Sequence, residues 1–413
     1  VKRGHRPLWR GTYGHSKCAN AMNMDPKPKT HSNKLIFLAA SLAMLLFGIV
    51  LISLGSVLPH LRAHFELSEL ATGSLLSILP FALLLGSLVF GPLVDRYGYK
   101  IVLMVSSLLI FAGLEGIALT GELWVLRISI FLIGFGGGAI NGGANALAAD
   151  TAEGDRGARL SFLGVFFGIG ALGVPFLLGL LADVLPYDRI LLWIGIFVLL
   201  PVMVYLITDF PAPKNPQGFP LKDARGLVKD PWILLTGFIL FIQSGMEGLA
   251  NNWSTTFLQE NKDFLNQHAL FSLTCLVAGM TAMRLILGWA LHHIPYGMVL
   301  LLSVALSLTG SMIILLTETQ PATYVGMIIL GAGLSACFPV IMGQVAGRYT
   351  HLSGTALSVV LVLALLGNML CNYGMGFIAN GWGTGVLPVV IPGGLLIQLL
   401  RIIAARNRTK NNT

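Results

Sequence analysis

Apolar residues along this chain gather into long runs with short polar breaks. Twelve runs stand out, at residues 34–59, 67–91, 101–120, 126–149, 158–182, 189–208, 232–258, 268–291, 297–317, 322–346, 353–378 and 384–404. The breaks are segments such as HLRAHFELSE and DTAEGDRGAR. A helix rises 1.5 Å per residue, so about 20 apolar residues cross a hydrocarbon core of about 30 Å. Each run therefore predicts one membrane-spanning helix, and the whole an all-α membrane protein. The longest internal break, Asp209 to Pro231, carries five prolines. The expected organisation is an N-terminal tail (1–33), a six-helix half (34–208), a linker (209–231), a second half (232–404) and a C-terminal tail (405–413).

Composition narrows the class further. Of 413 residues, 55% are hydrophobic and 11% charged, against roughly 25% charged in soluble domains. A soluble enzyme, a nucleic-acid binder and a disordered chain are excluded. Lys34 and seven basic residues before it, with Arg96, Lys100, Arg156, Arg159, Lys214, Lys222, Arg225, Lys229, Arg348, Arg401, Arg406, Arg408 and Lys410, fall on one side of the predicted membrane. Arg62, Arg127, Arg189 and Lys262 fall on the other. Positive charge accumulates on the cytoplasmic side, so both termini are expected in the cytoplasm and the chain in the inner membrane. The first 23 residues are basic and lack an apolar stretch, unlike a signal peptide; they are expected to be an extension or a disordered arm. Cys18, Cys275, Cys337 and Cys371 show no metal spacing, so neither a metal nor another cofactor is expected.

The two halves repeat. A shift of 197 residues lays Gly48 on Gly245, Gly91 on Gly288, Gly113 on Gly310, Gly134 on Gly331, Gly136 on Gly333 and Gly170 on Gly367. Duplicated six-helix halves are the mark of a transporter that rocks one half against the other around a midplane site.

Charged residues at bilayer depth are costly and point to function. Glu247 lies about mid-way along the seventh run. Gln243 and Asn251 stand four residues to either side of it, with Asn252 and Trp253 beside them. Residues four apart share a helix face, so a polar stripe facing a central path is expected. Amides suit sugar hydroxyls and an indole suits a sugar's C–H face. Glu247 is the candidate proton-coupling group; a structural carboxylate is the alternative. Arg284 either binds solute, pairs with Glu247 or snorkels to the interface. In the fourth run Asn141 and Asn145, four apart, are either solute contacts or interhelical glue. Asn368 and Asn372 repeat that spacing in the eleventh. Glu115 reads as structural.

The decapeptide GPLVDRYGYK, from Gly91 to Lys100, resembles the cytoplasmic loop signature of the major facilitator superfamily, G-x-L-x-D-R-x-G-x-K. Length, twelve runs and duplication agree with that family. The stretches GFGGGAINGGANALAAD, LGVFFGIGALGVPFLLGLL and LGAGLSACFPVIMGQVAGR are most similar to its fucose permease branch of sugar–proton symporters. The resemblance implies two pseudo-symmetric six-helix halves of the major facilitator type. It implies a latch of Gly91, Asp95, Arg96, Gly98 and Asp150 that holds the outward-open state. In the second half the latch has decayed, with His292 and His293 at the matching positions. The branch carries acidic residues in helices one and four; here there is none between Lys34 and Pro59, and helix four offers Asn141 and Asn145. Coupling therefore falls to Glu247.

The resulting expectation is a monomeric secondary transporter of a small polar solute, a monosaccharide first, driven by H⁺. The alternatives are proton-driven efflux of an amphipathic compound, whose cavity would be apolar, and a non-transporting membrane sensor.

Overall fold

The computed structural model describes residues 33–150, 156–211, 229–349 and 353–411, all within one compact unit, Ser32–Thr413. Among the described residues the secondary structure is helical, and twelve helices are long and apolar enough to cross a membrane. They are α1 Asn33–His64, α2 Glu69–Gly91, α3 Arg96–Leu119, α4 Leu123–Ala148, α5 Phe162–Leu181 and α6 Tyr187–Ile207. The second set is α7 Pro231–Lys262, α8 Asn266–Leu287, α9 Tyr296–Leu316, α10 Gln320–Val345, α11 Val359–Trp382 and α12 Thr384–Ile403. The spans agree with the twelve runs to within a few residues at most ends.

Local chemistry sets several ends. Ser68 caps α2 by accepting from the Ala71 N–H. Asp230 caps α7 by accepting from the Trp232 N–H at 2.7 Å, with Pro231 in the first turn, where a missing N–H costs nothing. The chain kinks at Gly98, near the start of α3, where a φ of 80° favours a residue without Cβ. Gly98 thus has a backbone reason to stand in the decapeptide, whereas a side chain at Gly91 would meet open space.

One expectation needs correction. The run 322–346 predicts a continuous helix, but α10 is interrupted, with helical pieces Gln320–Leu334 and Cys337–Arg348. Pro339 lacks the N–H that would bond the Ser335 carbonyl, and hydropathy is blind to that loss.

The helices pack in matched pairs. α1 lies against α5 as α7 lies against α11, and α2 meets α11 as α8 meets α5. The glycines show that the match extends to register. A Cβ at Gly134 would strike the Leu79 carbonyl, and one at Gly331 the Leu276 carbonyl. Gly136 abuts the Ser106 carbonyl and Gly333 the Ser303 carbonyl; Gly113 abuts that of Ser129 and Gly310 that of Gly326. Each partner in the second set lies 197 residues beyond its counterpart in the first. The duplication therefore preserves backbone contacts as well as residue types.

Candidate functional site

A cavity of about 600 Å³ lies among α1, α2, α4, α5, α7, α8, α10 and α11, within the range of roughly 300–1,000 Å³ typical of small-molecule sites. Its lining runs from the middle of α1 and α7 toward the end of the molecule where α2 and α8 finish and α5 and α11 begin. Glu247, Asn251, Asn252, Arg284, Asn368 and Asn141 all line it.

Hydrogen-bond directions in this wall follow from Trp253. Its indole N–H can only donate, and it donates to Asn372 Oδ1 at 3.2 Å. That fixes the Asn372 amide, whose Nδ2 donates to Asn368 Oδ1 at 2.9 Å. Asn368 Nδ2 then donates to the Ser244 carbonyl at 2.9 Å. Asn252 Nδ2 also donates to Asn372 Oδ1, at 3.2 Å, which leaves Asn252 Oδ1 as an acceptor without a donor. Asn251 Oδ1 is likewise buried and without a donor. Two unsatisfied acceptors beside a cavity fit a solute that brings hydroxyl or amine hydrogens. Trp253 and Asn372 are themselves fully enclosed; they orient the wall, and neither is among the residues lining the cavity.

Glu247 and Arg284 face each other from α7 and α8, with Oε1 and Nη2 3.8 Å apart. The Arg284 guanidinium also lies over the Phe167 ring, 5.1 Å from its centroid, a cation–π contact that reaches across to α5. Arg284 therefore points into the site rather than along the helix to the interface. The carboxylate and the guanidinium are partly exposed to the cavity, at 15% and 29% of their side-chain surface, so both can exchange partners with a bound solute, and the carboxylate can also take up a proton.

The polar stripe on α7 is shorter than its spacing suggests. Gln243 turns away from the cavity, and its Nε2 donates to the Leu334 carbonyl at 2.6 Å. This is a carbonyl released by the α10 break, and in a membrane such a group must be satisfied within the protein. Gln398 of α12, which sequence reasoning missed, donates to Gln243 Oε1 at 2.8 Å. Asn145 donates to Asn141 Oδ1 at 3.0 Å and to the Asn141 carbonyl at 2.8 Å. Glu115 lies away from the cavity in the seam between α3 and α6, against Gly195.

The far end of the molecule is sealed. Gly55 of α1 meets the backbone of Asn251 and Asn252, and Thr255 donates to the Gly55 carbonyl at 2.9 Å. Gly73 of α2 touches Gly376 of α11. Beyond these contacts Arg62 pairs with Glu69 and, at 2.8 Å, with Glu260. Glu260 in turn accepts from the Thr384 hydroxyl at 2.6 Å. One cation thus ties the ends of α1, α2 and α7, and Thr384 adds the start of α12. Sequence reasoning counted Arg62 among the basic residues of one membrane side and singled out neither Glu69 nor Glu260. In the decapeptide, the Arg96 guanidinium lies over the neighbouring Tyr97 ring, 5.3 Å from its centroid. The side chains of Asp95 and Asp150 lie outside the described residues.

Twelve membrane-capable helices in duplicated register around a polar-edged cavity define a multi-pass membrane transporter. The chain belongs to the major facilitator superfamily, whose family profile matches residues 36–371. It is similar to the glucose/mannose transporter GlcP of Bacillus subtilis, 22% identical over 88% of this chain and 92% of that protein. It is 29% identical to the galactose-proton symporter of Escherichia coli over 48% of this chain and 43% of that one. Among solved structures, a variant of the nucleoside transporter NupG superposes with a TM-score of 0.78 at 16% identity, covering 90% of this chain and 99% of the other. These relatives and this fold are transporters, not enzymes.

Proposed function

We propose that the protein is a secondary active transporter that moves a small polar solute, a monosaccharide or close derivative, by alternating access with H⁺ as the coupling ion. The observation that carries this reading is the meeting, around one cavity, of the Glu247–Arg284 pair with Asn251 and Asn252, whose enclosed Oδ1 atoms lack donors. A carboxylate that pairs with Arg284 when ionised releases it when protonated, so proton uptake and solute binding act on the same guanidinium. Asn141 and Asn368 complete the solute contacts. Gln243, Asn145, Trp253 and Asn372 hold those contacts in place. Relatives named for glucose, mannose and galactose support a hexose, and the Gly-rich stretches support a likeness to the fucose permease branch.

The distribution of basic residues supports an inner-membrane protein with both termini cytoplasmic. In that orientation the cavity faces the cytoplasm and the Arg62 cluster closes the outside. The protein acts as a monomer, two six-helix halves joined by residues 209–231. The kink at Gly98 supports the reading of Gly91, Asp95, Arg96, Gly98 and Asp150 as an inner latch. The apolar wall of the cavity favours a second reading, export of an amphipathic compound by the same cycle.

Glu247→Gln tests the coupling. It keeps the size and hydrogen-bonding capacity of the side chain and removes its titration. In proteoliposomes at matched protein content, the variant should retain counterflow of the transported hexose and lose accumulation driven by a pH gradient. Accumulation equal to that of the parent would remove Glu247 as the proton site.

A further inference from the structure

The cavity is built from matched positions of the two repeats, but its chemistry comes from one of them. At the 197-residue shift, Ser244 corresponds to Phe47, Gly248 to Leu51, Glu247 to Val50, Asn251 to Leu54 and Asn368 to Ala171. The free acceptors and the ion pair thus all come from α7 and α8, beside Asn368 of α11. The opposite wall, from α1, α2 and α5, presents Met44, Phe47, Leu51, Leu79, Leu83 and Phe167. Phe47 and Phe167 pack ring against ring, with centroids 5.5 Å apart. Two polar side chains of the first repeat, Ser87 and Asn141, reach the cavity. Ser87 donates to the Gly138 carbonyl at 3.3 Å, and Asn141 Oδ1 accepts from Asn145.

A free hexose carries hydroxyls around its whole ring. When the site closes, those against Met44, Phe47, Leu51, Leu79, Leu83 and Phe167 lose water and gain no partner, which is unfavourable. An apolar group in the same place removes aromatic and leucine surface from water, which is favourable. We infer that the solute has two unlike faces: a hydroxylated edge that donates to Asn251, Asn252 and Glu247, and an aromatic or branched apolar body that lies on the α1–α2–α5 wall, as in an aryl glycoside. This rests on the reading of the cavity as the transport site.

The test is a ligand series on the purified full-length protein: glucose and galactose, their methyl glycosides, their phenyl glycosides, and phenol. Affinity is read by calorimetry in detergent, and transport of the same labelled compounds by counterflow in proteoliposomes. Phenyl glycosides should bind at least about ten-fold more tightly than the methyl glycosides, the equivalent of roughly 1.4 kcal/mol. Phe47→Ser, which gives the first repeat the residue of the second, should lower phenyl glycoside affinity and spare the methyl glycosides. Should that variant fold poorly, the ranking on the parent protein still decides the matter. Equal affinity of free, methyl and phenyl sugars would overturn the inference, as would binding of phenol alone or of no compound in the series. Preferential binding of phenyl glycosides with no counterflow would instead overturn the transport reading.

Discussion

A single donor, the Trp253 indole N–H, determines which way the amides of Asn372, Asn368 and Asn252 point. Asn372, inside that chain of bonds, and Asn251, outside it, have opposite roles. Asn372→Leu should strand the Trp253 and Asn252 donors, at about 1–3 kcal/mol for each buried group, and lower the melting midpoint of the purified protein by several degrees. Asn251→Ala removes an acceptor that has no donor to lose. It should leave the midpoint nearly unchanged and weaken solute binding, which thermal unfolding and calorimetry on the same samples separate. The sequence exposed Glu247, Asn251 and Asn252 because polar groups at bilayer depth are rare. It misjudged Gln243 because four residues advance a helix by about 400°, and two such steps turn the stripe by roughly 80°. Gln398 was invisible, since nothing near it in sequence marks a partner 155 residues away.

Helices were legible because a bilayer demands length and apolarity together, and their ends were less so. α7 runs to Lys262, past the end of its apolar run, where the Lys262 ammonium reaches the Ile314 and Thr317 carbonyls at the end of α9. A cation at a helix C-terminus is favourable, but hydropathy scores Lys262 as loop. At the opposite end of α7, Asp230 accepts from the Tyr349 hydroxyl at 2.5 Å, tying the start of α7 to the residue just past α10. This bond, with burial opposing it and the Trp232 and Ile233 amides and Arg348 adding to it, holds the Asp230 carboxyl below the usual carboxylate value. A lowered folded pKa gives stability that is present above the unfolded value and lost as pH falls through the folded one. The melting midpoint should therefore fall on acidification between about pH 5 and pH 3. Tyr349→Phe should flatten that slope by the Asp230 share; an unchanged slope would show that the bond contributes nothing in solution.

At the scale of the molecule, one guanidinium holds two carboxylates at the sealed end. Arg62→Gln leaves Glu69 and Glu260 facing each other without a cation, and like charges at that range repel. The expected outcome is a shift in population toward the state open at that end. Thr255→Cys, in a background without the native cysteines, reports it: the thiol should be protected by α1 while Arg62 is present and reactive toward a thiol reagent once Arg62→Gln is added. Unchanged protection would mean that the glycine contacts alone keep the seal. Duplication was readable from glycine spacing, because a Cβ at those points would strike backbone. The seal was not readable, because Arg62, Glu69 and Glu260 flank loops, where isolated charges are ordinary.

The Glu247–Arg284 pair also has an electrical consequence. These are the charged residues that line the cavity, and together they carry no net charge. On the proposed coupling, one bound proton makes the site +1, so the loaded carrier moves a charge and the empty carrier moves none. One elementary charge crossing 100 mV is worth about 2.3 kcal/mol. A potassium diffusion potential, negative inside and with equal pH on both sides, should then concentrate solute in vesicles containing the parent protein. The same voltage should leave vesicles containing the Glu247→Gln variant at equilibrium. Membrane potential would thus drive the loaded half of the cycle and leave the return to thermal motion alone.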